Sequence, residues 1–496
     1  MRHLHSVNVF IFGCVIPLMY LSGCGASDGE GSDIAITTSS AEARTFFLHG
    51  REAFDVGRTD DASLLFDRAI AQDTNFALAY FYRARTATSS AAWKFNADLA
   101  QKFAHSASEG ERLLIDMLHA DARGDLPELL LLARRLKDRF PESPRALFEY
   151  AVTLAADKKT YDERNLLEEA IDLNGLFAPA LRALAISYLF EDPRDLHEAE
   201  TYARRYVDRY PEEADAHVLL GDVFRAGMQL EEARGEYTRA MMVNKDSYIA
   251  YIKRGHALTF IGLYNDARKD FARATELGIG PVKSLAANYR TLTWIYAGKL
   301  DEAFHENETV LNSLPLLGFD ESIDFNPYAD TWRNRLLMSM ELGDFPESER
   351  ALTQYAKFAR AIAQQIHTPN FSETTESEIA LLKGRLALKR GDFIAAVGHA
   401  DRSIDFLRNI RSARKRENTE LLLGQIAVQQ NEFALALDHL DEANPDLIQV
   451  KFYRGLALEA LGRDAEAQEL FHEVANWDFN DVDYALIRDK ALARIH

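Results

Sequence analysis

Cysteine, basic charge and long hydrophobic runs are all scarce in this sequence. Only Cys14 and Cys24 occur among 496 residues, so nothing after position 24 can form a disulfide bond or a thiolate metal site. The 57 basic residues are outnumbered by 77 acidic ones, and this net charge of -20 argues against broad binding to nucleic acid or anionic lipid heads. With 47% hydrophobic and 27% charged residues, the composition is that of a folded chain rather than a disordered one.

The first two dozen residues have the pattern of an export signal. A short polar start is followed by an apolar run from Val7 to Leu21. About 15 residues are too few to cross a hydrocarbon layer of about 30 Å as a permanent helix, and no later segment is long enough either. The run ends in Leu21-Ser22-Gly23-Cys24, which resembles the lipobox of bacterial lipoproteins. An ordinary secretory cleavage site is the alternative.

The lipobox resemblance implies a specific processing and location. Residues 1–23 would be the signal peptide, and the Cys24 thiol would carry a diacylglycerol anchor built from fatty acids such as palmitate. Residues 25–41 contain no Lys, Arg or aromatic residue, so we expect residues 24–41 to form a flexible tether. Glycine rather than aspartate follows Cys24, and under the sorting rules of enteric lipoproteins this favours the outer membrane over the inner membrane.

No motif predicts a catalytic, cofactor or metal site. Gly25-Ala26-Ser27-Asp28-Gly29 matches the G-x-S-x-G nucleophile elbow, but that motif needs a strand before it and a helix after it, and here it follows the anchor. His-Glu pairs at 197, 305 and 472 lack the second histidine that a zinc helix places four residues after the first. We therefore predict neither enzymatic activity nor a cofactor.

One spacing recurs along the chain from Ala43 onward. A small residue is followed by a second small residue after 12 positions, a large apolar residue after 16 and another small residue after 19. A turn residue, often glycine, follows the first small residue after seven positions. Two amphipathic helices of about a dozen residues joined by a short turn satisfy this spacing. Two clear copies are Gly221, Ala233, Tyr237, Ala240 and Gly255, Ala267, Phe271, Ala274.

The pattern resembles the 34-residue tetratricopeptide repeat. This resemblance implies an all-α, right-handed solenoid of about twelve helix-turn-helix repeats. They would start near residues 43, 77, 110, 144, 178, 214, 248, 284, 329, 377, 417 and 448. We expect a first array over 43–317, a possible hinge at 318–328, a second array over 329–482 and a capping helix at 483–496. Extra residues at 367–375 form a second candidate hinge.

The resemblance further implies a non-enzymatic scaffold or adaptor that binds a protein or peptide in a concave groove formed by the first helices. Arg51 and Arg85 occupy equivalent positions and could together bind a carboxylate, or could instead pair with neighbouring acids. A nutrient- or glycan-binding lipoprotein resembling the SusD class is the rival interpretation. The residues predicted to line the groove are Phe47, Arg51, Phe81 and Arg85, with Asp222, Arg225, His256 and Asn288 as a second location.

Overall fold

The computed structural model describes residues 33–87, 90–366, 369–410, 412 and 414–495. Twelve consecutive helix pairs followed by one further helix make up this part of the chain, as the repeat spacing predicts. Each of the twelve predicted repeats coincides with one pair, and the all-helical fold class is confirmed. The predicted lipidation site Cys24 and residues 25–32 of the predicted tether lie outside the described residues.

The first helix of each pair is named an A helix and the second a B helix. The A helices are α1 (Ala41–Asp55), α3 (Ala77–Arg85), α5 (Glu109–Ala122), α7 (Pro144–Ala156), α9 (Ala178–Phe190), α11 (Ala214–Ala226), α13 (Tyr248–Ile261), α15 (Val282–Tyr296), α17 (Phe325–Leu342), α19 (Pro369–Lys389), α21 (Glu417–Gln429) and α23 (Ile448–Ala460). The B helices are α2 (Thr59–Gln72), α4 (Ser90–Phe103), α6 (Leu126–Arg139), α8 (Thr160–Leu173), α10 (Leu196–Arg209), α12 (Leu230–Val243), α14 (Tyr264–Leu277), α16 (Leu300–Ser313), α18 (Phe345–Ile366), α20 (Phe393–Phe406), α22 (Phe433–Asp441) and α24 (Asp464–Ala475). The last helix is α25 (Val482–Leu492).

A close contact between an A-helix glycine and a B-helix ring holds several pairs together. A β-carbon built on Gly221 would lie 2.5 Å from the Tyr237 ring, and one built on Gly255 would lie 2.7 Å from the Phe271 ring. Any side chain at these glycines would collide with the ring, so their absence lets the two helices approach closely. The ring stands 16 residues after the glycine, which is the offset seen in the sequence. The same contact joins Gly50 to Phe66 and Gly455 to Phe471.

The turns between paired helices also follow the predicted spacing. Gly262 and Gly391, seven residues after the small residue of their A helices, have φ of 90° and 76°. This left-handed conformation has little conformational strain in glycine, and it does not continue an α-helix. It therefore ends the A helix and lets the B helix fold back against it.

Two compact units make up the described chain, residues 33–250 and residues 251–495, named the N-terminal and C-terminal units. Within each unit, B helices pack against the A helix of the next pair, for example α2 against α3 and α18 against α19. These contacts join the pairs into a stack. The division falls within α13 rather than at the hinge expected over 318–328. The second half of that expected hinge, from Phe325, belongs to α17.

The second predicted hinge adds residues to two helices. The helix α18 runs on to Ile366 and α19 begins at Pro369, which makes them 22 and 21 residues long. Residues 367 and 368 lie outside the described residues. The wider spacing of the sequence repeats in this region therefore reflects longer helices as well as the loop before α17.

Residues 34–40 are part of the N-terminal unit instead of a free tether. Ile34 is buried, and its side chain occupies the space beside Gly110 on α5. The Glu111 carboxylate accepts hydrogen bonds from the Ser108 amide at 2.6 Å and from the Thr37 amide at 2.8 Å. One buried carboxylate thus caps α5 and fixes the incoming chain. The composition of this segment misled the prediction because its two isoleucines are enough to anchor it.

The glycine–ring contact yields a prediction with a matched control. Gly221→Ala should lower the free energy of unfolding by about 1 to 3 kcal/mol, because the added methyl group must displace the buried Tyr237 ring. Gly235→Ala, in the partner helix α12, should raise it by up to about 1 kcal/mol, because a β-carbon there meets nothing within 4 Å. Chemical denaturation of both variants measures the difference. Equal effects would show that the contact does not determine the spacing of the pair.

Candidate functional site

The two phenylalanines of the predicted groove lie in the core of the N-terminal unit. Phe47 is 0% exposed and Phe81 is 3% exposed. The Phe47 ring packs against Phe66, Phe76 and Tyr82 with centroid distances of 5.0 to 5.7 Å. These rings therefore do not line an open groove. The A helices carry aromatic residues here because successive pairs bury them against each other.

The arginines of that region are paired with acids from other repeats. Arg85 donates to the Glu149 carboxylate at 2.8 Å and lies 5.1 Å from the centre of the Phe54 ring. Arg145 forms an ion pair with Asp55. Burial by itself would lower the pKa of Arg85, but the charge of Glu149 holds it above its ordinary value. The alternative interpretation of pairing is thus observed for Arg85, but the acid comes from α7 rather than from its own repeat.

Arg51 differs from Arg85 although the two positions are equivalent in the repeat. Its guanidinium carbon lies 5.9 Å from the centre of the Phe47 ring, and it is half-buried. No ion pair of Arg51 is found within the described residues. The two arginines share the neighbourhood of Tyr82, but only Arg85 holds a carboxylate.

Contacts between distant repeats join the start of the N-terminal unit to its later pairs. The Tyr206 hydroxyl on α10 donates to the Val56 carbonyl after α1, at 3.5 Å. Arg58 at the start of α2 lies 3.2 Å from Glu213, which precedes α11. The turn of the first pair therefore contacts the fifth and sixth pairs.

The second predicted location divides between the two units. In the N-terminal unit, Asp222 accepts a hydrogen bond from the buried Tyr237 hydroxyl at 2.7 Å, and Arg225 lies near the same hydroxyl. In the C-terminal unit, His256 and Asn288 are 7% and 5% exposed. Asn288 donates to Thr331 at 3.1 Å. Each predicted residue thus has a structural neighbour within its own unit.

The helix α25 covers the A-helix side of the C-terminal unit. It contacts α15, α17 and α23 in addition to α24, on which a cap was expected to lie. Asp483 is 6% exposed and accepts from Arg333 at 2.9 Å and from Arg385 at 2.7 Å. Although burial would raise it, the two guanidinium groups hold the pKa of Asp483 below its ordinary value. An acid from the C-terminal helix is therefore clamped between arginines of α17 and α19.

Further contacts position the segment that begins at Asn480, before α25. The Asn480 side chain lies 3.0 Å from the ring nitrogen Nδ1 of His256. Tyr484 is fully buried, with its ring centre 6.3 Å from that of Phe260 and 6.1 Å from that of Tyr296. The segment thus presents an amide, a carboxylate and an aromatic ring to five residues of the A helices.

An open groove of about 530 Å³ lies on another side of the C-terminal unit, between α18, α19 and α20. Its floor is made of buried Leu352, Ala356 and Leu386. The groove is named the α18–α20 groove. Its rim carries the charged or polar side chains Glu349, Arg360, Lys383, Arg390, Asp392 and His399.

The cations of this rim are unequally paired. Arg360 forms two hydrogen bonds with Glu376, and Arg390 lies 2.7 Å from Glu349. Lys383 is exposed, and the described part of the chain offers it no ion pair. Burial, together with the charges of Arg402 and Lys383, lowers the pKa of His399. Lys383 is therefore the rim cation that could bind a carboxylate without losing an ion pair.

One buried carboxyl group has the properties of an acid–base catalyst but not the setting. Burial, and then the charge of Glu191, raise the pKa of Glu163. It lies between α8 and α9, 3.4 Å from the Ser187 hydroxyl. Among the described residues, no group of three or more His, Cys, Asp and Glu side chains could hold a metal ion.

Comparison with known proteins agrees with the helix-pair architecture. Residues 184–245, spanning parts of the fifth and sixth pairs, match the family model of the tetratricopeptide repeat. The match supports a tetratricopeptide repeat protein. No curated protein sequence matches the chain.

Several solved structures are similar in fold. A tetratricopeptide repeat protein from Parabacteroides merdae is 16% identical, with 56% of this chain and 99% of that one aligned, at a TM-score of 0.37. The pilF protein of Pseudomonas aeruginosa is 18% identical over 48% of this chain and 93% of its own, at 0.31. YrrB, described as having an unusual peptide-binding site, is 19% identical over 37% and 94%, at 0.30. Likenesses of this strength carry no argument about function.

The unequal pairing of Arg51 and Arg85 can be tested by stability. Arg85→Ala should lower the free energy of unfolding by at least about 2 kcal/mol, because it leaves the buried Glu149 carboxylate without its cation. Arg51→Ala should cost less than about 1 kcal/mol, since no ion pair is lost with it. Urea denaturation of the two single variants provides the comparison. If the two losses were equal, the ion pair with Glu149 would not be what distinguishes these positions.

Proposed function

We propose that this protein is a non-enzymatic interaction scaffold that binds a segment of a partner protein in the α18–α20 groove. The observation that carries the proposal is the open groove itself. A volume of about 530 Å³ is within the range of protein binding pockets, and an apolar floor with a few polar rim groups is their usual composition. By contrast, α25 covers the A-helix side of the C-terminal unit, and in the N-terminal unit Phe47 and Phe81 are buried and Arg85 is paired.

The chemistry of the groove indicates the kind of segment that fits. Leu352, Ala356 and Leu386 would receive an apolar side chain, and Lys383 would receive a carboxylate next to it. Arg360 and Arg390 already hold acids, so Lys383 is the cation available without breaking an ion pair. A short segment with an apolar residue beside an acidic one is the expected ligand.

The proposal also includes lipid anchoring at Cys24 in the bacterial cell envelope, with the outer membrane favoured because Gly25 follows the cysteine. Among the described residues no helix is long and apolar enough to cross a bilayer. Asp33 is nine residues from Cys24, and nine residues extend at most roughly 30 Å. Because residues 34–40 are bound to the N-terminal unit, an anchor at Cys24 would hold that unit near the membrane surface.

A glycan receptor of this kind needs exposed tryptophan rings on which a sugar can stack, and Trp294 and Trp332 do not provide them. The Arg268 guanidinium covers the Trp294 ring at 3.7 Å, and Arg350 lies 5.0 Å from the centre of the Trp332 ring. Both rings are half-buried. A sugar could stack on them only after displacing these arginines, which supports the scaffold over the receptor.

Anchoring is tested by a pair of cysteine variants. Cys24→Ser should move the protein from the membrane fraction to the soluble fraction and abolish incorporation of labelled fatty acid. Cys14→Ser, which changes the only other cysteine, should leave both unchanged. Fractionation and metabolic labelling provide the readout. A wild-type protein without incorporated fatty acid would contradict the proposal.

The groove is tested by a matched pair of lysine variants. Lys383→Glu should reduce partner capture more than tenfold, because it places an acid where the partner's carboxylate would bind. Lys357→Glu, on the exposed surface of α18 and outside the groove, should leave capture unchanged. Capture is measured by photo-crosslinking in native envelopes from an unnatural amino acid at Thr353, an exposed groove residue. Undiminished capture by the Lys383 variant, with an unchanged melting temperature, would place the binding site elsewhere.

A further inference from the structure

The covered A-helix side of the C-terminal unit has the properties of a second binding surface. Arg333 and Arg385 project from neighbouring A helices toward one carboxylate, that of Asp483. Without an occupant, these two guanidinium groups would face each other, and Glu378, 4.0 Å from Arg333, would be the nearest carboxylate that the ion pairs of the described residues provide. An occupant that supplies an anion between the two arginines is therefore favoured.

The same surface selects an aromatic ring next to the carboxylate. Tyr484 follows Asp483 directly and is enclosed by Phe260 and Tyr296, from two different A helices. Its hydroxyl donates to the Ala475 carbonyl at 3.2 Å. The surface thus recognises an acidic residue followed by a tyrosine at the beginning of a helix.

The chain's own segment satisfies this surface incompletely. The side-chain oxygen of Asn480 is buried without a hydrogen-bond partner. Asp481 and Asp483 place two carboxylates close together, and burial and then the charge of Asp483 raise the pKa of Asp481. A cavity of about 70 Å³ remains beside the helix, lined in part by Gln425, Gln429 and Gln449. Unpaired groups and unfilled volume both reduce the free energy gained by docking.

The outer face of α25 is exposed, whereas its inner face is held. Lys490 is exposed and forms an ion pair with Glu341. Ala491 is buried, and Gln468 on α24 donates to the Arg494 carbonyl at 2.7 Å. A partner helix must therefore replace contacts along the whole length of α25.

We propose that residues 480–492 are a replaceable occupant of the A-helix side of the C-terminal unit, and that a partner helix carrying an acidic residue followed by tyrosine binds there in their place. This surface is separate from the α18–α20 groove, so the proposal does not depend on the function proposed above. Only residues 476–481 join α24 to α25, so the chain's own segment acts at an effective concentration on the order of millimolar. A partner helix binds only if its affinity and concentration overcome this competition, or if the chain's own segment has already been loosened.

The direct test uses a fluorescent synthetic peptide of residues 478–495 and the full mature chain, with binding measured by anisotropy. Asp483→Asn in the chain should tighten peptide binding at least tenfold over wild type, because the chain's own segment then competes less well. The same substitution in the peptide should weaken its binding more than tenfold. Asp489→Asn, on the outer part of the same helix, is the matched control and should bind the peptide as wild type does.

A second readout follows the helix itself. Ala485→Cys places a thiol at a buried position of α25, and with Cys24→Ser it would be the only cysteine of the mature chain. Its labelling rate should rise when the peptide is added. If Asp483→Asn prevents folding, Lys490→Gln provides a milder loosening with the same expected direction.

Three results would overturn the proposal. The peptide could fail to bind every form of the chain, which would make α25 a permanent part of the fold. The thiol introduced by Ala485→Cys could remain unlabelled at saturating peptide, which would place the peptide elsewhere. The Asp483→Asn chain could form a dimer that the peptide does not dissociate, which would make a second copy of this chain the occupant.

Discussion

The contact between an A-helix glycine and the ring 16 residues later is the constraint on which the rest of the structure depends. Gly221 and Gly255 let Tyr237 and Phe271 approach to a distance that no other residue would allow. This contact fixes how closely the two helices of a pair lie and therefore where the A helices of successive pairs fall. The surfaces that could bind a partner follow from that arrangement, because they are built from A helices or from the spaces between pairs.

Both A-helix sides contain arginines that are neutralised from within the chain. In the N-terminal unit, Arg85 and Arg145 bind Glu149 and Asp55 from other repeats. In the C-terminal unit, Arg333 and Arg385 bind Asp483. A partly buried guanidinium group needs an anion, and the two units obtain it differently. The first uses A helices of other repeats, which cannot leave without unfolding the unit, and the second uses a terminal helix, which we propose can leave.

Features that depend on local spacing could be predicted from the sequence, and those that depend on long-range pairing could not. The twelve pairs, the positive φ of Gly262 and Gly391 and the glycine–ring contacts follow from offsets within one repeat, which helix geometry converts directly into contacts. The repeat spacing predicts that Arg85 lies on a groove, because it defines the helical face of this residue but not the residues that pack against it. Its partner Glu149 is 64 residues away, and no spacing rule connects such positions. The docking of Ile34 was missed for the same reason, because two isoleucines in a Gly- and Ser-rich stretch give no periodic signal.

We infer that the C-terminal unit holds its own last helix as a separable occupant. Hydrogen exchange of the unmodified full chain, followed by mass spectrometry, tests this directly. If the helix is separable, the amides of residues 482–492 should exchange more slowly than those of an isolated peptide but faster than those of α15 and α17. Exchange at the peptide rate would show that the helix is not docked. Exchange as slow as that of α17 would show that it opens only when the whole unit unfolds.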